Sequence, residues 1–165
     1  MSNDKKSVND LLEFIDNSPT PFHAVEEMKS KLIEKGYSEL KESDKWNLMS
    51  NGKYFITRND SSLIAFIIGT KTKDASGFKI IGAHTDSPNL KLKPNPAYKK
   101  NDYIQLGVEA YGGVLLTTWT DRDLSLAGRV IIKGKKNLNP SYSASMNLYY
   151  ESHNWLFTSI AMLTK

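Results

Sequence analysis

Phe78-Lys79-Ile80-Ile81-Gly82-Ala83-His84-Thr85-Asp86-Ser87-Pro88 is an apolar run that ends abruptly in a histidine, with a carboxylate two residues on. Phe78 to Ala83 has the length and continuity of a strand buried on both faces, as in a sheet covered by helices. In such sheets ligands sit beyond the carboxyl ends of the strands. A histidine placed there can offer one ring nitrogen to a metal while a nearby carboxylate accepts a hydrogen bond from the other and fixes the tautomer. Ser87-Pro88 then stops the strand, because proline has no backbone donor and restricts the residue before it. A capping or core histidine beside an Asx-type turn is the other reading of these residues, and His-x-Asp alone does not decide between them.

Working outward, the period on either side indicates a domain of helices and strands. Ser7 can cap a helix with Leu11, Leu12 and Ile15 on one face, ending near Asn17 and Ser18. Thr20 is placed to cap a second helix with Pro21 at its first position, a stripe of Val25, Met28 and Leu32, and Gly36 as terminator. The two helices are expected to cover one sheet face. Residues 53–57 and 62–68 are β-rich, with Arg58 to Ser61 as the hairpin turn between them. Gly69 to Gly77 reads as a surface loop, and Asn89 to Lys100, with two prolines and four lysines, as an irregular segment crossing the site side. Residues 103–110, 114–118 and 126–133 are further candidate strands, and Gly112-Gly113 a bend. The fold class expected is α/β, a mixed sheet flanked by helices.

Composition narrows the function. A chain of 165 residues with no cysteine holds one domain with a real core and excludes disulfide scaffolding, thiolate zinc sites and cysteine nucleophiles. The N-terminus lacks the apolar core of a secretory signal, and the apolar stretch at 155–163 is too short to span a membrane, so a soluble, cytoplasmic protein is expected. The net charge of +4 is spread along the chain from Lys5 to Lys165 rather than clustered, which argues against nucleic-acid binding.

Several blocks occur in order: Ser18-Pro19-Thr20-Pro21-Phe22-His23-Ala24-Val25, Gly52-Lys53-Tyr54-Phe55, Ser61 to Phe66, Ala83 to Pro94, Tyr111-Gly112-Gly113, and Trp119-Thr120-Asp121-Arg122-Asp123-Leu124 to Val130. Together they resemble the aspartyl aminopeptidase family of di-zinc metallopeptidases, over Ser7 to Lys133. The resemblance implies that His84 binds one of two zinc ions and that Asp86, counted with the catalytic residues, orients it. It also implies an α/β catalytic domain, of which this chain is the N-terminal part, with peptide substrates losing N-terminal, often acidic, residues. Full-length relatives are expected to be homo-oligomers. The bridging aspartate, the glutamate base and the remaining ligands of the family lie further along than these 165 residues, so the chain alone is expected to be inactive. A non-enzymatic relative that self-associates or binds a full-length paralogue is the alternative.

The remaining candidates carry less. His23 reads as a helix-surface or packing residue, and His153 falls where the resemblance has ended. Asp121-Arg122-Asp123 reads as a turn rather than an ion site, and Lys91 and Lys93 as either a positive rim for an acidic side chain or solvated surface. Residues 1–133 are taken as the catalytic-domain part and 134–165 as a divergent tail in place of the family's dimerisation insert. In that tail Asn154 could cap a helix through Trp155, Phe157, Ile160 and Leu163.

Overall fold

The computed structural model describes residues 3–70, 77–120, 123–132, 142–145 and 155–164. The chain forms two compact units, Met1–Thr85 and Asp86–Lys165. The first comprises helices α1 (Asn3–Asp16) and α2 (Pro21–Glu34) and strands β1 (Ser38–Glu39), β2 (Lys53–Arg58) and β3 (Ser62–Ile67). The second comprises β4 (Asn89–Lys100), β5 (Tyr103–Tyr111), a 3-10 turn (Leu116–Thr118), β6 (Leu124–Ile132), β7 (Tyr142–Ser145) and β8 (Trp155–Thr164).

In the first unit α2 is bounded as its sequence requires. Thr20 is extended and Pro21 follows at the first helical position, where a missing N–H costs nothing. At the other end Gly36 adopts φ +79°, and the amides of Gly36 and Tyr37 donate to the carbonyls of Ile33 and Leu32 at 2.9 and 3.0 Å. These crossed bonds form a Schellman closure and satisfy carbonyls the helix leaves open. Ala24 and Val25 are buried, and Met28 and Leu32 half-buried, on the face of α2 that packs against β1 and β3. Helix α1 starts at Asn3 rather than at Ser7, with Asp4 in its first turn, where a carboxylate favours the positive end of the helix dipole. It packs against α2, and its stripe of Val8, Leu11, Leu12 and Ile15 stays more than half exposed.

The sheet of this unit is mixed, in the order β1-β2-β3, with β1 parallel and β3 antiparallel to β2. Asn59 and Asp60 both take positive φ at the hairpin turn, which suits the twist of the strands it joins. The two-residue strand β1 has no periodicity of its own and is visible only through its partner: Leu40 N–H donates to Phe55 O at 2.8 Å, and Glu42 accepts both a 3.0 and a 2.9 Å bond from the Arg58 guanidinium.

The expected strand over Phe78 to Ala83 is not formed. No strand among the described residues pairs with it, and Phe78, Ile80 and Ile81 are 93, 84 and 99% exposed. Continuous apolarity specifies a strand only where layers exist to bury both of its faces, and those layers are absent from the described residues.

The second unit is a five-stranded antiparallel sheet in the order β5-β4-β8-β6-β7. Its strand β4 corrects the irregular segment expected for Asn89 to Lys100. Leu92 pairs with Val108 and Ala97 with Leu106, and the register shift between them takes up Pro94 and Pro96, with Asn95 at φ +53°. A bulge removes the ladder positions that proline cannot serve, so the strand continues on either side. Leu92 is the buried centre here, with Leu106, Val108 and Leu126 against it.

Two further expectations are corrected. The strand read over 114–118 is a 3-10 turn, in which the amides of Thr118 and Trp119 donate to Leu115 O and Leu116 O at 3.0 Å and the Thr118 hydroxyl also donates to Leu115 O at 2.7 Å. Local side-chain bonding of this kind competes with a ladder. The helix expected through Trp155 to Leu163 is β8, paired along its length with β6 and at Leu90 and Lys91 with β4. Its spacing is compatible with a helix, but pairing on both sides satisfies its backbone as a central strand. Asn154, His153, Asp121 and Arg122 lie outside the described residues.

Candidate metal centre

Thr85 follows His84 at the end of the first unit, and its hydroxyl donates to Ser61 O at 2.9 Å, tying the segment to the β2–β3 turn. His84 is exposed. Asp86 begins the second unit and is half-buried. Pairing of Asn89 with Tyr111 across β4 and β5 brings the end of β5 beside the start of β4, and the Tyr111 hydroxyl donates to Asp86 Oδ2 at 2.8 Å. That bond and the carboxylate charge raise the Tyr111 pKa, because ionising the phenol would lose the bond and set two anions together. The Lys91 ammonium lies 5.6 Å from the Tyr111 ring centroid, within the range of a cation–π contact. Gly112 follows with φ +65°, and a Cβ there would meet Pro88 at 3.5 Å. The Tyr-Gly-Gly block and the Asp-Ser-Pro block are therefore neighbours, and the glycine turns the chain where proline closes the other side.

Tyr111 is the partner that sequence reasoning passed over. It stands 25 residues from Asp86, and only the register of β4 on β5, which the prolines disguised, brings the two together. Lys91 joins this cluster through its contact with the Tyr111 ring.

Histidine 23 is placed by α2 and not by the candidate centre. Its Nδ1 lies 2.8 Å from Thr20 Oγ1, a hydrogen bond between the helix cap and the third residue of the first turn. Partial burial lowers its pKa. As pH falls the unfolded chain takes up this proton first, so stability present above about pH 7 declines as pH passes down through the mid-six range. The urea midpoint of the chain is expected to be lower at pH 5.5 than at pH 7.5, and His23→Gln is expected to reduce that difference.

A catalytic zinc ordinarily takes three protein ligands and a water. Among the described residues no group of three or more His, Asp or Glu side chains is arranged to hold a metal. The imidazole of His84 is chemically suited to zinc, but the described residues do not by themselves fit the ion, and ligands from elsewhere are needed to complete a site.

The model of the Aminopeptidase I zinc metalloprotease family, M18, matches residues 14–148. The chain belongs to the M18 aminopeptidase family. The likeness read from its ordered blocks is therefore correct at family level. A probable M18 family aminopeptidase 2 from Clostridium acetobutylicum is 52% identical over 141 residues, which are 85% of this chain and 33% of the relative. Among solved structures, that of the Ape4 and Nbr1 complex matches with TM-score 0.78 and 45% identity over 84% of this chain and 27% of the other. The S. cerevisiae mApe1 dodecamer matches with TM-score 0.74 and 33% identity, covering 87% of this chain and 33% of the other. The M18 chain thus spans about a third of the length of these relatives. Its mixed α/β fold, two helices with small sheets, corresponds to one part of M18 structures.

Proposed function

We propose that this chain is the N-terminal part of a zinc-dependent aminopeptidase that removes N-terminal residues, acidic ones among them, from peptides in the cytoplasm. The observation that carries the reading is the family match over 14–148, which contains His84-Thr85-Asp86-Ser87-Pro88. In it His84 supplies one ligand to zinc, Asp86 orients His84, and Tyr111 holds Asp86 through its 2.8 Å bond. Zinc, when bound, supplies an activated water and polarises the scissile carbonyl. The residues of this chain hold and aim one ligand, while the base that moves the proton belongs to the part of the enzyme beyond it. Resemblance to mApe1, solved as a dodecamer, supports a homo-oligomer for the whole enzyme. Taken alone, the 165 residues are inactive.

The test compares two proteins. The chain by itself is expected to hold less than one zinc per molecule and to leave N-terminal Asp and Leu anilides intact with zinc, manganese or cobalt added. Joined to the part of the C. acetobutylicum relative that follows the matched segment, it is expected to hydrolyse them. In that fusion Asp86→Asn should reduce activity or zinc affinity by about 10–100-fold, the range for an orienting partner of a metal ligand. Stoichiometric zinc with turnover by the chain alone overturns its inactivity, and a folded but inactive fusion overturns the aminopeptidase reading.

A further inference from the structure

Asn51 and Gly52 are the only asparagine–glycine neighbours in the sequence, and they sit in a turn that is held closed from several sides. Gly52 N–H donates to Met49 O at 3.0 Å, and Asn51, third of the four residues so joined, has φ +60°. That is the left-handed conformation a type II turn requires there, and asparagine takes it more readily than most residues with a side chain. Asn51 N–H donates to Ile68 O and Ile68 N–H to Gly52 O, both at 2.9 Å, while the Tyr54 hydroxyl accepts the Met49 amide at 3.0 Å. The Asn51 side chain itself is exposed.

An asparagine followed by glycine carries its own reagents. Glycine has no Cβ to shield its amide nitrogen, so the Gly52 nitrogen, once it sheds its proton, can bond to Asn51 Cγ. The Cγ–Nδ2 bond then breaks and ammonia leaves. Water opens the resulting cyclic imide at one carbonyl or the other. Opening at the side-chain carbonyl restores the main chain with aspartate at 51, whereas opening at the main-chain carbonyl leaves isoaspartate, whose chain runs through Cβ and Cγ and is one atom longer. The net change is amide and water to carboxylate and ammonium, with no oxidant and no second enzyme.

In the folded chain the proton that must be lost is committed to Met49 O, and a hydrogen bond made by the neutral amide disfavours its ionised form. We propose that Asn51-Gly52 is a self-deamidation site held in check by the fold: the reaction waits for the turn to open, and the isoaspartyl product keeps it from closing again. Ile68 bonds to both sides of the altered linkage, and an extra main-chain atom between its two partners prevents both bonds from being kept. Nor can Gly52 shift to accommodate it, since even a Cβ there would clash with the phenolic end of buried Tyr54. The inference stands on this turn alone, independently of zinc and of peptide cleavage. Asn59 and Asn101 are internal controls: both are exposed with φ of +54° and +50°, but each is followed by aspartate instead of glycine.

The experiment keeps the full 165-residue chain at mildly alkaline pH in buffer and through a urea series. Peptide mapping, with fragmentation that separates aspartate from isoaspartate, follows each asparagine. Conversion at Asn51 is expected to be at least about tenfold faster in fully unfolding urea than in buffer, and to rise between them with the open fraction. Asn59 and Asn101 should lag behind Asn51 in urea. Chain aged in urea and then refolded should have a lower urea midpoint and weaker amide protection over Lys53–Arg58. Asn51→Gly, in which the new residue adopts the same φ freely, should keep its midpoint through the same ageing. Equal rates in buffer and urea, conversion at Asn59 and Asn101 that matches Asn51, or an isoaspartyl chain with the midpoint of the parent would each overturn the proposal.

Discussion

Phe55→Ala is expected to remove about 3–5 kcal/mol from the stability of the first unit, the range for deleting a fully buried phenylalanine. Phe55 is 0% exposed and, with Val25 at 1%, is one of two large side chains in the described residues that are completely buried. It sits in the central strand of the three, opposite Glu39 on one side and Ala65 on the other, in the unit where Ala24 and Val25 of α2 are also buried. Whole domains are stable by only about 5–15 kcal/mol, and a unit with so small a buried centre lies toward the lower end. Hydrogen exchange over Lys53–Arg58 and Ser62–Ile67 should show protection falling by roughly two to four powers of ten. Loss of less than about 1 kcal/mol would mean that Phe55 is not the keystone of this packing.

Gly52→Ala is expected to cost about 1–3 kcal/mol through overpacking. A Cβ at residue 52 would clash with the phenolic end of Tyr54, its hydroxyl oxygen nearest, with Cε2 at 2.5 Å and Cζ at 2.6 Å, far inside van der Waals contact. The ring cannot easily step aside. Tyr54 is buried, its hydroxyl accepts the Met49 amide at 3.0 Å, and its ring centroid lies 5.8 Å from that of Phe66. Nor can the backbone retreat, because Gly52 N–H donates to Met49 O at 3.0 Å and Gly52 O accepts the Ile68 amide at 2.9 Å. The Gly-Lys-Tyr-Phe block thus encodes a close approach: glycine makes room for the ring two residues ahead, and the next residue is the centre of the core. Urea titration of the single variant beside Gly52→Ala with Tyr54→Phe separates the causes. If the phenolic oxygen is the principal obstacle, the double variant recovers part of the loss. A neutral Gly52→Ala would show that the ring has another resting place.

Where the chain gave its fold away, local chemistry was sufficient. The ends of α2 could be read from Thr20, Pro21 and Gly36 because capping is settled within a few residues, and β2 and β3 because period and turn agree. The failures share a cause. Residues 78–83 read as a buried strand, yet burial depends on neighbours that no local pattern reports. Residues 155–163 read as a helix because a spacing of three is available in them, while pairing with β6 decides otherwise. Asn89–Lys100 read as irregular because two prolines were taken to exclude a strand, when a bulge can house them. At the candidate centre, His84 and Asp86 stand out as a motif, but the bond from Tyr111 depends on strand register and was invisible from either residue alone.

The sheet of the second unit carries a consequence for the order in which the protein can be built. The contacts of β2 with β3 span a few residues, so that hairpin can close as soon as it leaves the ribosome. Strand β4 is flanked by β5, made next, and by β8, with Leu90 opposite Met162. At synthesis rates of about 5–20 residues per second, the roughly 50 residues between the end of β5 and Met162 leave one edge of the β4–β5 hairpin open for several seconds. During that time any extended apolar segment nearby can occupy the place meant for β8. Non-local pairing of this kind is slow to form and exposed to misassembly, and slower translation through residues 112–154 would lengthen the risk while leaving the finished sheet the same.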